Sequence, residues 1–551
     1  MLDYLRIALY ATLVALIFIL YQAWEQDHSK PVKSTTATTA NNFVPEVTTD
    51  TAKPVVQTAA MPAGNATAII AQIIHVKTNL LQVDIDAAGG NITQVKLLKY
   101  PEELNSQNAY LLLNNQPDTR YLAQSGLLSS AGPDTSSGQG IYTSPQTDYS
   151  LADNQNEIKV NLFWQNQQGI KVTKTFTFKR DSYEVGVNYL VANQSQQPWD
   201  GNLYLQLMRK NTPPVNHQGF VNFATYFGAA VSSPDKKFQK ITFKEMDKSN
   251  ISQTITGGWA AMIQHYFVSA WIPDKNSTLQ YFSRVSDDGL YTIGMLGPKL
   301  AIAPGQSLDT HAEFYSGPAI ADDMEKASPS LKLTIDYGWF WFISAIIFWM
   351  MQKIYNFVGN WGWSIVLVTV VIKLMFYHLS AKSYRSMSAL KKLQPKMTAL
   401  KERYGEDKQK FTQATLELYK KEKVNPMSGC LPILVQIPVF IGLYWVLIES
   451  VQLRHAPFIL WIHDLSTKDP YYVLPLLMGL SMFLQQRLNP PPADPVQAKV
   501  MMLMPVIFTA LFINFPAGLM LYWFVNNTLS FLQQWYIMHS MDKAEKKKKS
   551  N

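Results

Sequence analysis

Cysteine is all but absent. The 551 residues hold one, Cys430, and a single thiol builds neither an internal disulfide nor a metal cluster. It opens an apolar run and reads as a small buried residue. Catalytic signatures are missing too: there is no Walker loop, zinc-helix motif or nucleophile elbow. The nine histidines are scattered without metal-ligand spacing. His265 stands in Gly258-Trp259-Ala260-Ala261-Met262-Ile263-Gln264-His265-Tyr266-Phe267, an apolar and aromatic setting that fits a packed structural histidine better than a catalytic one. No internal repeat between halves is visible, which argues against a transporter with inverted halves. These absences predict a protein that is not an enzyme and uses no metal or cofactor.

An excess of basic charge is confined to two places. The formal net charge is +8. Residues 381–428 carry 12 Lys/Arg against 5 Asp/Glu, residues 541–551 carry 5 Lys against 2 acids, and the remainder is slightly acidic. Both basic segments flank apolar runs, the pattern of a bilayer protein whose inner loops are positive. Nucleic-acid binding would place the basic residues on a face of a folded domain, so no nucleic-acid substrate is expected.

Long apolar runs are likewise confined. Residues 1–24 hold one, from Leu5 to Tyr21, and no small-x-small cleavage pattern follows it, so it reads as a retained transmembrane anchor. Residues 25–64, rich in Thr, Ala, Pro and Asn, cannot bury a core and read as a flexible linker. Residues 65–325 alternate in period two: Leu81 to Asp86 turns at Gly89-Gly90-Asn91 into Ile92 to Val95. Ile158 to Trp164 and Ile170 to Phe178 flank Gln167-Gln168-Gly169 as a hairpin, and Tyr183 to Val191 and Leu203 to Leu207 continue the series. Such a series predicts a large all-β sandwich.

From Tyr337 onward apolar and aromatic runs recur. Trp339 to Met351 is too short to cross hydrocarbon, which takes about 20 residues. Residues 336–358 therefore read as an interfacial amphipathic helix anchored by Trp339, Trp341 and Trp349. Residues 359–540 read as a membrane core with spans at 361–381, 431–450, 471–487, 500–514 and 517–536. Parity agrees: with the β-domain outside and the basic loop inside, one crossing lies between 330 and 381. Six crossings in all place both termini and the basic tail, 541–551, inside. The expected fold is thus a multi-pass α-helical membrane protein with six transmembrane helices and a soluble β-sandwich domain.

Lys373 is the most informative residue, a cation within the span 361–381. Two readings stand: function in a wet cavity, or snorkelling to the inner surface. Thr369 and Tyr377 lie four residues to either side and would complete a polar stripe on one helix face. Gln436, Gln485, Gln486, Asn526, Asn527 and Gln533 place polar groups in the later spans, where inter-helix hydrogen bonding is their common role. No acid within the spans pairs with Lys373. Inside the loop 382–428, Leu390, Leu393, Met397, Leu400 and Tyr404 follow a heptad seam. Gly405-Glu406-Asp407 breaks it before a second helical stretch from Lys408 to Lys423. A solvated coiled coil and a docking hairpin both fit.

Several motifs resemble the YidC membrane protein insertases of Gram-negative bacteria: Asn360-Trp361-Gly362-Trp363-Ser364-Ile365, Leu393-Gln394-Pro395-Lys396, Lys423-Val424-Asn425-Pro426, Gly429-Cys430-Leu431-Pro432, Ala456-Pro457-Phe458, Trp461-Ile462-His463-Asp464-Leu465, Pro470-Tyr471-Tyr472 and Met504-Pro505-Val506-Ile507-Phe508. The resemblance runs over nearly the whole chain and is densest from 336 to 540. It implies a chaperone and protein-transport factor of the bacterial cell inner membrane. A five-helix insertase core would form a hydrophilic groove, closed on the periplasmic side, and the sandwich would be a periplasmic domain shaped like sugar-processing sandwiches. Expected partners are nascent membrane proteins, the Sec translocon with its accessory subunits, the ribosome and the lipid bilayer.

The groove residues implied are Lys373, where the family usually carries arginine, and Thr369, which matches a substrate-facing position. Tyr522 and Trp523 join them, Trp523 standing where relatives often carry a substrate-contacting tyrosine. The polar residues Tyr377, Gln436 and Asn526 complete the expected set. A membrane-anchored carbohydrate enzyme is the remaining alternative. It would need two carboxylates, or a histidine and a carboxylate, converging in the sandwich.

Overall fold

The computed structural model describes residues 72–135, 138–213, 225–405, 407–422, 424, 431–489 and 495–550. The anchor and linker read from residues 1–64, and Cys430, lie outside them.

Alternation of buried and exposed side chains builds the first half. Leu81–Asp86 buries every second residue, Gly89 and Gly90 take φ of 73° and 59°, and the chain returns as Asn91–Pro101. Positive φ at both turn positions suits residues without a Cβ. Glu157–Gln165 pairs antiparallel with Ile170–Lys179 in unbroken register, the turn between them closing at Gly169, φ 96°. Strands from Ile73–Lys77 to Ser307–Pro318 assemble into sheets of twelve and eight strands. Their inner faces share one core that fully buries Trp259 and Trp271.

The second half is helical. Helix α1, Trp341–Val358, runs five residues past the change from apolar to polar at Gln352-Lys353 and stops at Gly359, which takes a left-handed φ of 68°. Its inner side buries Ile347 and Met351, and Ser344 Oγ donates to the Gly442 carbonyl at 3.0 Å. Trp341, Phe342, Ile346 and Trp349 face outward. There follow α2 (Trp361–Met375), α3 (Tyr377–Lys392), α4 (Gln394–Tyr404), α5 (Lys408–Lys421), α6 (Leu431–Glu449), α7 (Val473–Leu488), α8 (Pro495–Phe512) and α9 (Ala517–Ser550). Asn360 caps α2 by accepting from Trp363 N, and Asp407 caps α5 by accepting from Gln409 N and Lys410 N, each using an otherwise unpaired first-turn amide. Helix α9 packs against α2, α3, α6 and α7 and is the centre of this region.

Two expected elements differ. The span at 361–381 is not a single rod: α2 ends at Met375, Phe376 leaves helical geometry, and α3 departs at 68°. The bend is braced from α9, where Gln533 Nε2 donates to the carbonyl of Tyr377 at 3.3 Å. Among the described residues no single helix is long and apolar enough to cross a membrane. The bent pair α2 and α3 passes that test together, by length and composition. Helix α9 also outruns its expected span, its backbone continuing through the lysine tail.

The two halves touch at the far end of α6. Val451 packs into the sandwich core. Arg454 donates to the carbonyls of Pro101 and Glu102, both at 2.8 Å, and its guanidinium lies 5.2 Å from the ring centre of Tyr110. His265 Nε2 donates to the Ile448 carbonyl at 2.9 Å, the structural packing expected of it.

Candidate functional site

Helix α9 carries polar groups at Asn526 and Ser530, with the Tyr522 ring one turn earlier. A spacing of four residues sets all three on one face. That face looks into a cavity of about 520 Å³ bounded by α6, α7, α8 and α9. The opposite wall is apolar and soft, with Met482, Met501, Met504 and Phe508. Gln436 of α6 reaches across, its Nε2 donating to Asn526 Oδ1. Gln485 and Gln486 of α7 and Asn527 of α9 add to the polar lining.

Two buried donors on this lining, Trp523 Nε1 and Asn527 Nδ2, have no hydrogen-bond partner among the described residues. Burying a donor without an acceptor is costly, so both lie at a strained point of the packing behind the cavity surface. Trp523 is held by aromatic neighbours, with its ring centre 4.9 Å from that of Phe440.

Lys373 points inward. Its Nζ donates to Ser530 Oγ at 2.6 Å, and Ser530 Oγ in turn donates to the Asn526 carbonyl at 2.7 Å. The ammonium belongs to a second, small cavity of about 20 Å³ between α2, α3 and α6, lined also by Phe376, Ser380 and Gln436. Snorkelling therefore does not describe it.

The structure divides the other expected residues. Gln436, Tyr522, Trp523 and Asn526 come together on the large cavity. Thr369 is buried and spends its hydroxyl on the Ile365 carbonyl at 2.6 Å. Tyr377, beyond the bend, is an exposed side chain at the start of α3. The stripe of Thr369, Lys373 and Tyr377 is thus not one continuous face, because the backbone turns before Tyr377. Ser530 is the residue that sequence reasoning missed: one hydroxyl in a helix interior gives no signal, and its partner stands 157 positions away. The heptad seam is also parted. Leu390 lies on α3, buried Leu393 at the junction, and Met397, Leu400 and Tyr404 on α4, beside α5.

Two family models match the chain, YidC periplasmic domain over residues 73–350 and 60Kd inner membrane protein over residues 353–546. The membrane protein insertase YidC of Pseudomonas entomophila is 45% identical over 558 residues, 99% of each chain. That of Pseudomonas putida is 45% identical over 557 residues, again 99% of each. Among solved structures, an active YidC insertase crystal structure with the first transmembrane domain resolved covers 85% of this chain and 95% of that one, at 19% identity and a TM-score of 0.39. The matches define an inner-membrane protein with a periplasmic β-sandwich domain and a helical C-terminal region. The chain belongs to the YidC family of membrane protein insertases.

Proposed function

We propose that this insertase inserts, folds and helps assemble integral inner-membrane proteins by receiving a client segment in the groove between α6, α7, α8 and α9, alone or beside the Sec translocon. The carrying observation is the 520 Å³ cavity, with the polar face of α9 opposite a methionine and phenylalanine wall. A segment entering hydrocarbon must satisfy every backbone polar group internally or lose several kcal/mol for each. The side-chain amides of Gln436, Gln485 and Gln486 on its lining offer polar groups on the client a temporary partner. The methionines accept client side chains of varied shape. Burial of the client's apolar surface in lipid drives the last step, so neither ATP nor a cofactor is required.

In this reading the anchor, the bent pair α2 and α3, and helices α6, α7, α8 and the first part of α9 make six crossings, with both termini cytoplasmic. The pair α4 and α5, carrying Met397, Leu400 and Tyr404 and much of the basic excess, is a cytoplasmic arm that docks nascent chains, ribosomes or anionic headgroups.

Reconstitution of the intact chain into liposomes with a short single-span client tests this. Protease protection of the client is expected. Lys373→Glu, which puts an anion beside Ser530, is expected to lower it by about tenfold. Unchanged insertion in that variant removes Lys373 from the mechanism, and no protection by the intact chain removes the proposal.

A further inference from the structure

The groove is divided. The large cavity and the small one that holds Lys373 share one lining residue, Gln436. Two side chains from different helices converge on a single turn of α9: Gln436 from α6 bonds to the Asn526 side chain, and Lys373 from α2 bonds to Ser530. Ser530 is itself tied to the Asn526 carbonyl. Gln436, common to both linings, stands where the two spaces adjoin, with Asn526 and Ser530 on the side of the large one. The compartment on the Lys373 side, about 20 Å³, holds about one water molecule.

The two contacts differ in kind. Gln436 and Asn526 make one bond between neutral amides, whereas an ammonium donating to a hydroxyl is charge-assisted and stronger. The amide pair is the weaker half, and it faces the large cavity. A client carbonyl or amide placed there competes for the same donor and acceptor.

We infer that the Gln436–Asn526 pair is a latch, and that Ser530 is the positioning residue that holds Lys373 behind it in the resting protein. The inference rests on the groove reading above. With the latch closed, a client in the large cavity does not meet the ammonium. When a polar group of the client displaces the Gln436 amide, the two spaces join and the cation becomes available at Ser530. The positive charge is thereby kept for segments that bring hydrogen-bonding groups, while wholly apolar segments pass without opening the latch.

The test reads Lys373 directly. The full chain in liposomes is labelled briefly with acetic anhydride at fixed pH, and acetylation is quantified by mass spectrometry. Lys420, exposed on α5, serves as the open reference, and Lys174, fully buried in the sandwich, as the closed one. Lys373 in the intact chain is expected to react about tenfold more slowly than Lys420. Gln436→Met and Asn526→Leu each remove the amide bond at nearly constant volume. Each is expected to raise labelling of Lys373 by about fivefold, with both references unmoved. Gln436 also hydrogen-bonds Tyr522, so the double variant is expected to rise no further than Gln436→Met alone.

Unchanged labelling in both singles overturns the latch. So does an additive rise in the double variant, which marks two independent packing losses. Client insertion is measured separately in the same vesicles. Failure of the intact chain to insert counts against the functional reading, while the labelling still decides the latch.

Discussion

His265 shows what one buried side chain contributes where the two halves meet. Its ring stacks on Tyr266 at 3.6 Å between centres, and Nε2 donates to Ile448. Burial pushes its pKa down to about 4, so the folded protein keeps the ring neutral. The unfolded chain binds a proton near pH 6.5. The stabilisation is therefore complete above pH 6.5 and is lost as pH falls toward 4. The full chain in detergent is expected to lose roughly 2 kcal/mol between pH 7.5 and 4.5 that His265→Gln does not lose, measured as the difference between their denaturation curves. Sequence located this residue and Lys373 for the same reason: a polar side chain in an apolar run announces itself. Thr369 shows the limit of that rule, because a hydroxyl can return to its own helix at Ile365 and stay silent. Ser530 was hidden for a related reason, since its task is defined by a partner on another helix.

At the scale of elements, the strands were legible because burial follows period two, and the hairpins because glycine marks their turns. Glycine also serves where the chain crosses between sheets: Gly258 joins Ser252–Thr256 of one sheet to Trp259–Gln264 of the other. It has φ of +80°, and a Cβ there would stand 2.1 Å from the Ser232 carbonyl oxygen, a backbone atom with little freedom to move. Gly258→Ala is expected to destabilise the sandwich by about 3 kcal/mol, read as a lower midpoint for loss of the β-sheet signal on heating. The bend at Phe376 was not legible. The segment Lys373-Leu374-Met375-Phe376-Tyr377-His378 contains neither glycine nor proline, the usual marks of a kink. Its brace, Gln533, comes from far along the chain. The seam spacing of Leu390, Leu393 and Met397 runs on across Leu393, where α3 ends and α4 begins with Pro395 in its first turn.

At the scale of the molecule, Arg454 is one of the side chains that join the sandwich to the helices. Arg454 holds the strand end at Pro101 and Glu102 by two charge-assisted bonds and covers Tyr110. Arg454→Ala is expected to weaken this junction by about 3 kcal/mol. Hydrogen exchange of residues 99–113 should then quicken, while amides deep in the eight-stranded sheet keep their protection. Equal exchange at 99–113 in the two proteins would show that the strand end does not depend on the arginine. The two-part architecture could be read from composition alone, because apolar runs cluster after Tyr337. This junction could not, since its donor and acceptors lie more than 350 positions apart.

The two sides of the large cavity differ in how firmly they are fixed. Asn526 and Ser530 are tied to Gln436 and Lys373, whereas the facing methionines swing through many rotamers at little cost. In the proposed groove, one side then sorts passing segments by the hydrogen bonds they exchange with the Gln436–Asn526 pair, while differences in bulk are absorbed opposite. On that proposal a single chain can serve many unrelated sequences.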